Sequence, residues 1–187
     1  MFLAMTLLVG LVYPAVVTGF AQVLFRDAAD GSFVRSDGRI VGSALIGQVF
    51  TGAGYFHPRP SAVDYDGRAS GASNLGPTNP QLLEGVAARV ASYRTENGLG
   101  SDVAIPVDAV TASASGLDPH ISIRNARLQA PRVASVRGLG LAVVLTLVDE
   151  ATAQPVWGFL SEPTVNVLAL NLLVDEASGT GGSTLEP

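Results

Sequence analysis

Met1 to Phe25 reads MFLAMTLLVGLVYPAVVTGFAQVLF and contains no charged side chain, so all 11 basic and 16 acidic residues of the 187-residue chain lie beyond it. As a helix this stretch extends about 37 Å at roughly 1.5 Å per residue, enough to cross a hydrocarbon layer of about 30 Å. One end of the chain is therefore written for lipid and the rest for water. A cleaved secretory leader is the rival reading. It calls for a basic start, a shorter apolar run and a small-residue cut site, and none of these precedes Arg26. An uncleaved anchor over residues 1–25 is the expectation. Gly10, Pro14 and Gly19 are costly in a water-soluble helix and tolerated in a membrane where neighbours cover the freed backbone. Gly10, Ala15 and Gly19 either admit a second helix closely or are simply the small residues of a lone span. Arg26, Arg35 and Arg39 follow the span and nothing basic precedes it. The positive-inside rule taken alone would leave the bulk of the chain in the cytoplasm.

Composition removes several kinds of chemistry. No lysine occurs, which excludes a phosphate-loop lysine, a Schiff base and a lysine general base. Cysteine is absent and there are two histidines, His57 and His120. Thiolate nucleophiles, disulfides and three-histidine metal centres are thus excluded. A net charge of −5 argues against nucleic acid as a partner.

Residues 26–39 are polar and turn-rich (Asp30-Gly31, Asp37-Gly38), fitting a linker. Ile40 to Phe50 is β-prone and reads as a strand buried on much of its surface. Thr51 to Thr78 is a long stretch rich in Gly, Pro, Ser and Asn, with Tyr55, Phe56 and Tyr65 in it. Loops of that length are usually functional or held by a partner. Asn79-Pro80 opens a helix and Asn97-Gly98 closes it. Val103 to Gly116 is ambiguous. Ala126, Gln129, Ala130, Val133 and Ala134 recur at helical spacing, with Pro131 predicting a kink or a restart. Leu139 to Leu147 reads as buried. Pro163 to Glu176 reads as a last helix with Val167, Leu168, Leu170 and Val174 inward. Residues 40–176 thus form one α+β domain with helices outweighing strands, and 177–187 a flexible tail.

Candidate chemistry is sparse. Ser113, Ser115, Asp118 and His120 crowd into ASASGLDPHIS. A membrane-anchored hydrolase or binding module would use Ser115, Asp118 and His120, whereas neighbours in a turn more often satisfy local backbone donors. Gly42 and Gly47 have phosphate-loop spacing, but Gln48 stands where lysine is required. Gly71, Ser73, Asn74 and Gly76 fit a backbone nest for an anion or a tight turn. Arg132 and Arg137 are placed to bind carboxylates of a partner or of this chain. Asn166 and Asn171 on an apolar helix imply backbone tethering or an interface, because a buried Asn must be hydrogen-bonded.

Seven strings taken in order resemble the KdpC family, the C subunits of the bacterial Kdp potassium-transporting ATPase. They are Tyr13-Pro14, GSALIGQ (Gly42 to Gln48), YFHPRPSA (Tyr55 to Ala62), SGASNLGPTNP (Ser70 to Pro80), VTASASGLDPHIS (Val110 to Ser122), QAPRVA (Gln129 to Ala134) and EPTVNVLALN (Glu162 to Asn171). The family's usual basic N-terminus is missing, and Ala72 stands where Gly is common. The resemblance implies a non-catalytic accessory subunit with one N-terminal transmembrane helix and a single mixed domain outside the cytoplasm of a bacterial cell, which overrides the charge reading. It implies as partners a channel-like potassium-binding subunit (KdpA), a P-type ATPase subunit (KdpB) and a small subunit (KdpF). ATP and potassium would be handled by those partners, with no cofactor of the chain's own. The family is also proposed to raise ATP affinity in the pump subunit, and Gln129 is the residue to which that proposal points. Gly10, Tyr13, Pro14 and Gly19 are the expected partner-packing positions of the anchor.

Overall fold

The computed structural model describes residues 1–179. The chain forms two compact units that divide between Leu45 and Ile46. The expected tail from 177 lies mostly outside the described residues.

In the first unit Phe2–Leu24 is one helical run with a mean hydropathy of 2.0 and no part of it buried. It begins as α1 (Phe2–Leu7), widens into a π turn (Leu8–Val12) and continues as α2 (Tyr13–Leu24). Pro14 explains the wide turn. It has no N–H to donate, and its ring presses on the carbonyl one turn back, at Gly10. An extra residue in that turn makes room without breaking the helix. The segment then turns through α3 (Arg26–Ala29), where the Gln22 amide donates to Asp30 Oδ1 at 2.9 Å. A hairpin follows: β1 (Phe33–Ser36) pairs antiparallel with β2 (Arg39–Ser43). Its two-residue turn, Asp37-Gly38, has φ values of 49° and 77°, the left-handed pair that matches strand twist.

Two expectations change here. Residues 26–39 carry a short helix and a strand as well as the turns read from the sequence. The strand expected over Ile40 to Phe50 stops at Ser43, and Ile40 is 51% exposed. A two-stranded ribbon has no second layer to bury its faces. Ser43 also ends the strand, its hydroxyl donating to the Gly31 carbonyl at 2.7 Å and accepting from the Leu45 amide at 3.2 Å.

The second unit is α+β. A three-stranded antiparallel sheet has β5 (Thr164–Asn166) in the middle, with β3 (His120–Ser122) and β4 (Thr152–Ala153) on either side. Its helices are α4 (Pro80–Asn97), the single turn α5 (Val107–Val110), α6 (Ile123–Arg137), α7 (Leu141–Glu150) and α8 (Val167–Ala177). Asn79 caps α4 by accepting from the Gln81 amide at 2.9 Å. Strands β3 and β5 each run straight into a helix, and the last strand residue is the cap. Ser122 Oγ accepts from Asn125 N at 3.1 Å, and Asn166 Oδ1 from Ala169 N at 3.0 Å. Because β3 and β5 are antiparallel, with Ile121 opposite Val165, α6 and α8 leave the sheet from opposite ends. The core lies between them: Ile121, Ala126, Ala130, Val133, Val144, Val148, Val165, Leu170 and Val174 are all buried.

The inward positions read for both helices are buried as the spacing implies. Two details differ. Pro131 does not restart α6, which runs through it as one helix. Pro131 and Arg127 are both exposed, so the carbonyl left without its helical donor faces solvent. The last element is a strand up to Asn166 and a helix only from Val167, so Asn166 caps the helix rather than riding on its apolar face.

Candidate functional site

The long Gly/Pro-rich stretch is ordered because four of the sequence strings meet. Gly47 N donates to the Leu117 carbonyl at 2.8 Å, Gly71 N to Ser115 O at 2.9 Å and Ser113 N to Pro60 O at 3.2 Å. At Gly47 a Cβ would stand 2.7 Å from the Asp118 carbonyl oxygen, so only glycine fits the approach. Gly116 has φ 70° and is crowded by Val63 and the Gly71 carbonyl, so it is constrained twice over. The Ser61 hydroxyl donates to Gly116 O at 2.7 Å and accepts from the amides of Val63 and Tyr65. Arg59 pairs with Asp118 at 3.0 Å, and the Tyr65 hydroxyl donates to the Arg59 carbonyl. Burial, with the Asp64 charge, pushes the Tyr65 phenol up to about 12, so it remains a donor at neutral pH.

Two buried amides then grip two consecutive residues of that loop. Asn171 Oδ1 accepts from Phe56 N at 2.8 Å while Asn171 Nδ2 donates to Phe56 O at 3.0 Å. Gln129 Oε1 accepts from His57 N at 2.8 Å while Gln129 Nε2 donates to His57 O at 3.1 Å. Each side chain replaces the ladder that a neighbouring strand would supply. Gln129 is 1% exposed and bonded at every position its amide offers. Its nitrogen also donates to Asn125 Oδ1 at 2.9 Å, and its oxygen also accepts from Arg132 Nη2 at 2.8 Å. Asn125 continues the chain, donating to Asp108 Oδ2 at 3.0 Å and accepting from the Tyr93 hydroxyl at 2.8 Å. Asp108 in turn accepts from the amide and hydroxyl of Ser122 at 2.8 and 2.9 Å.

Two arginines on α6 fix the loop just before Phe56. Arg132 donates to the carbonyls of Ala53 and Tyr55 and, through Nε, to Asn97 Oδ1 at 3.0 Å. Burial lowers its pKa, against the pull of Glu96 and Tyr93. Arg137 donates to the Gly54 carbonyl at 2.9 Å and forms a buried ion pair with Asp175 at 2.7 Å. Its guanidinium lies 4.4 Å from the centre of the Tyr55 ring, and the Tyr55 hydroxyl donates to Asp175 Oδ2 at 3.3 Å. Both arginines therefore bind groups of this chain.

His57 sits between two clefts. One, of about 360 Å³, is lined by Phe50, Thr51, Pro58, Tyr65 and Glu96 as well as His57. The other, of about 150 Å³, is lined by Tyr93, Asn125 and Gln129 among others. Small-molecule sites commonly run from about 300 Å³ upward, so only the first has the volume. His57 Nδ1 lies 2.7 Å from Glu96 Oε1 and Nε2 lies 3.1 Å from the Gly52 carbonyl. Burial pushes the imidazole pKa down. The Gly52 carbonyl and Glu96 oppose that shift, Arg132 adds to it, and burial prevails.

Of the residues of the hydrolase reading, the structure brings the His120 ring to Asp118, with Nδ1 3.5 Å from Oδ1, and leaves Ser115 out of the pair. Ser115 Oγ accepts from Leu117 N at 3.1 Å, closing a turn. Asp118 Oδ1 accepts from His120 N at 3.0 Å, and its other oxygen holds Arg59. Among the described residues no hydrogen bond joins Ser115 to His120, and no group of three His, Cys, Asp or Glu is placed to hold a metal ion. Gly71 is spent on Ser115, so that segment is a loop contact in this chain. In the anchor, a Cβ at Gly10 or Gly19 would meet nothing within 4 Å. Ala15 and Gly19 share a face of α2, and Gly10 lies within the π turn that precedes it. Residue spacing did not reveal Asn125, Asp108 or Glu96. Of these Asn125 had a usable signal, being a polar residue one turn before Gln129 on a buried stripe.

Known proteins align with the chain through both units. The model of the KdpC family, "K+-transporting ATPase, c chain", matches residues 1–176. The potassium-transporting ATPase KdpC subunit of Mycobacterium tuberculosis (strain ATCC 25618 / H37Rv) is 54% identical over 177 residues, 94% of each chain. Those of Rhodospirillum rubrum and Cereibacter sphaeroides are 54% and 51% identical, over 94% of this chain and 92% of theirs. The match runs from the apolar helix through the amide-clamped loop to the end of α8, and the chain belongs to the KdpC family.

Proposed function

We propose that the chain is an accessory subunit of an ATP-driven, high-affinity potassium importer, held in a bacterial membrane by Phe2–Leu24. In this reading the folded unit stands outside the cytoplasm beside a channel-like subunit, KdpA, with KdpB and KdpF completing the assembly. It stabilises the complex at its potassium-entry side and performs no chemistry of its own. Gly10, Tyr13, Pro14 and Gly19 supply the anchor's packing surface. The single observation that carries the reading is the 54% identity that spans anchor and folded unit together with a KdpC subunit of nearly equal length. The geometry supports it, because the polar residues gathered at the loop are engaged with one another and with backbone. Growth of a strain lacking its own KdpC, on limiting potassium, tests it. The full chain restores growth and residues 1–25 alone do not; equal growth with both overturns the reading. A cysteine placed on the folded unit of this cysteine-free chain and labelled by an impermeant reagent in intact cells fixes the side of the membrane.

The effect on ATP affinity proposed for the family is assigned here to the loop that Gln129 holds rather than to contact with nucleotide. Gln129→Ala in the assembled complex should then alter potassium affinity and ATP KM together. A change in ATP KM alone, with photolabelling of the chain by an ATP analogue, overturns that assignment.

A further inference from the structure

The loop between β4 and β5 is built unlike the rest of the second unit. Residues 151–161, ATAQPVWGFLS, contain no charge, with Glu150 before and Glu162 after. Trp157, Phe159 and Leu160 are 82%, 74% and 56% exposed. Gly158 N donates to Pro155 O at 2.9 Å, so the tip is a closed four-residue turn. Trp157 is third in that turn with φ 54° and ψ 17°, and Gly158 follows at φ 80°. The left-handed region favours glycine or asparagine, and a bulky aromatic there is an outlier. The chain thus carries two unfavourable features at one point, a strained backbone and three bare apolar side chains. Such pairs of costs gather at binding sites.

We propose that Trp157, Phe159 and Leu160 form a finger that seats in the interfacial layer of a lipid bilayer, a second and non-spanning hold on the membrane. A bilayer is the one apolar phase that this chain's own sequence provides for. The folded unit begins at Ile46, a short stretch of chain past the apolar helix that ends at Leu24. The finger's chemistry fits that layer: tryptophan with phenylalanine and leucine is the interfacial composition, and the absence of charge suits neutral headgroups. Its size fits too. With aromatic side chains offering about 150–250 Å² each, the three expose about 450 Å². A stable protein interface takes about 800 Å² from each partner. The tip is therefore too small to be such an interface by itself and large enough to supplement an anchor. This inference goes beyond the transport reading and does not depend on it, since potassium uptake forms no part of its test.

Trp157 is the sole tryptophan of the chain, so its emission reports on the finger alone. The full chain is reconstituted in phosphatidylcholine vesicles with and without lipids brominated at a shallow acyl position. The proposal expects blue-shifted emission, at least twofold quenching by the shallow-brominated lipid and weak quenching by acrylamide. Phe159→Ser with Leu160→Ser should cut the lipid quenching at least by half while circular dichroism stays unchanged. Quenching by acrylamide but not by brominated lipid puts the finger in water and overturns the proposal. Shielding from both means that protein covers it and overturns the proposal as well. A failure here leaves growth on limiting potassium unaffected as a test of the accessory-subunit reading.

Discussion

Two loops of the second unit place aromatic residues in opposite ways. Phe56, in the long Gly/Pro-rich loop, is 0% exposed, whereas Trp157, in the β4–β5 loop, is 82% exposed. Both loops are irregular and both carry prolines and glycines. They differ in what reaches them. Asn171, Gln129, Arg132 and Arg137 extend from α6 and α8 to the backbone of residues 53–57 and satisfy it. Those bonds let a chain with no strand partner enter the core, because its buried N–H and C=O groups are matched. Among the described residues no side-chain hydrogen bond of this kind holds residues 157–160. Burying an aromatic on an irregular loop thus depends on polar side chains that hold its backbone as much as on the aromatic itself.

The largest test of that contrast is Phe56→Ala. Truncating a fully buried Phe should cost about 3–5 kcal/mol, read as a lower urea midpoint for the full chain in detergent by circular dichroism. Retention of the midpoint within about 0.5 kcal/mol would show the loop to be dispensable. Next comes Asn171→Ala, which removes no large apolar surface yet strands both backbone groups of Phe56. Each buried unpaired group costs about 1–3 kcal/mol, so a loss of about 3 kcal/mol is expected. A loss below 1 kcal/mol would mean that water replaces the clamp.

A smaller effect follows from His57. Burial holds its pKa below the ordinary 6.5, so the unfolded chain takes up a proton more readily than the folded one. The neutral ring's contribution is complete above about pH 6.5 and is lost as pH falls through the lower folded value. His57→Gln should therefore flatten the fall in unfolding free energy between about pH 7.5 and 5.5. An identical slope in both proteins would show that the pulls of Glu96 and the Gly52 carbonyl cancel the effect of burial and leave the ring's pKa the same folded and unfolded.

Much of this was visible in the residues. The uncharged first segment, the bounds of α4, the stripe on α6, the Asp37-Gly38 turn and the tethering role expected of a buried Asn171 all follow from local rules. Period and capping act within a few residues, so they survive in the sequence. The limits were where distant groups decide. The strand ends at Ser43 because of a hydroxyl bond to Gly31. Asn166 leaves the apolar helix because β5 pairs with β3 up to that residue. The destination of Gln129 needs His57, 72 positions away, and no spacing rule connects them. Arg137 binds a carboxylate as expected, that of Asp175, whereas Arg132, read the same way, holds amide and backbone carbonyls instead. Their choice of loop carbonyls and Asp175 came from the packing of α6 against that loop.

Trp157→Ala gives the smallest expected change and the sharpest contrast with Phe56→Ala. The side chain is mostly bare, so its removal forfeits little burial, and a surface substitution normally stays within about 0.5 kcal/mol. Alanine also tolerates the left-handed turn a little better than a bulky ring does. The unfolding midpoint of the full chain in detergent should therefore stay put or rise slightly. Trp157→Gly should raise it further, because glycine adopts a φ of 54° without steric strain. A drop of 2 kcal/mol or more in Trp157→Ala would place the ring in the core of the folded chain. It would then belong with Phe56, and the contrast between the two loops would collapse. An unchanged midpoint makes the ring's cost to the fold real and its benefit external, since a fold gains nothing by holding tryptophan in a conformation that glycine prefers.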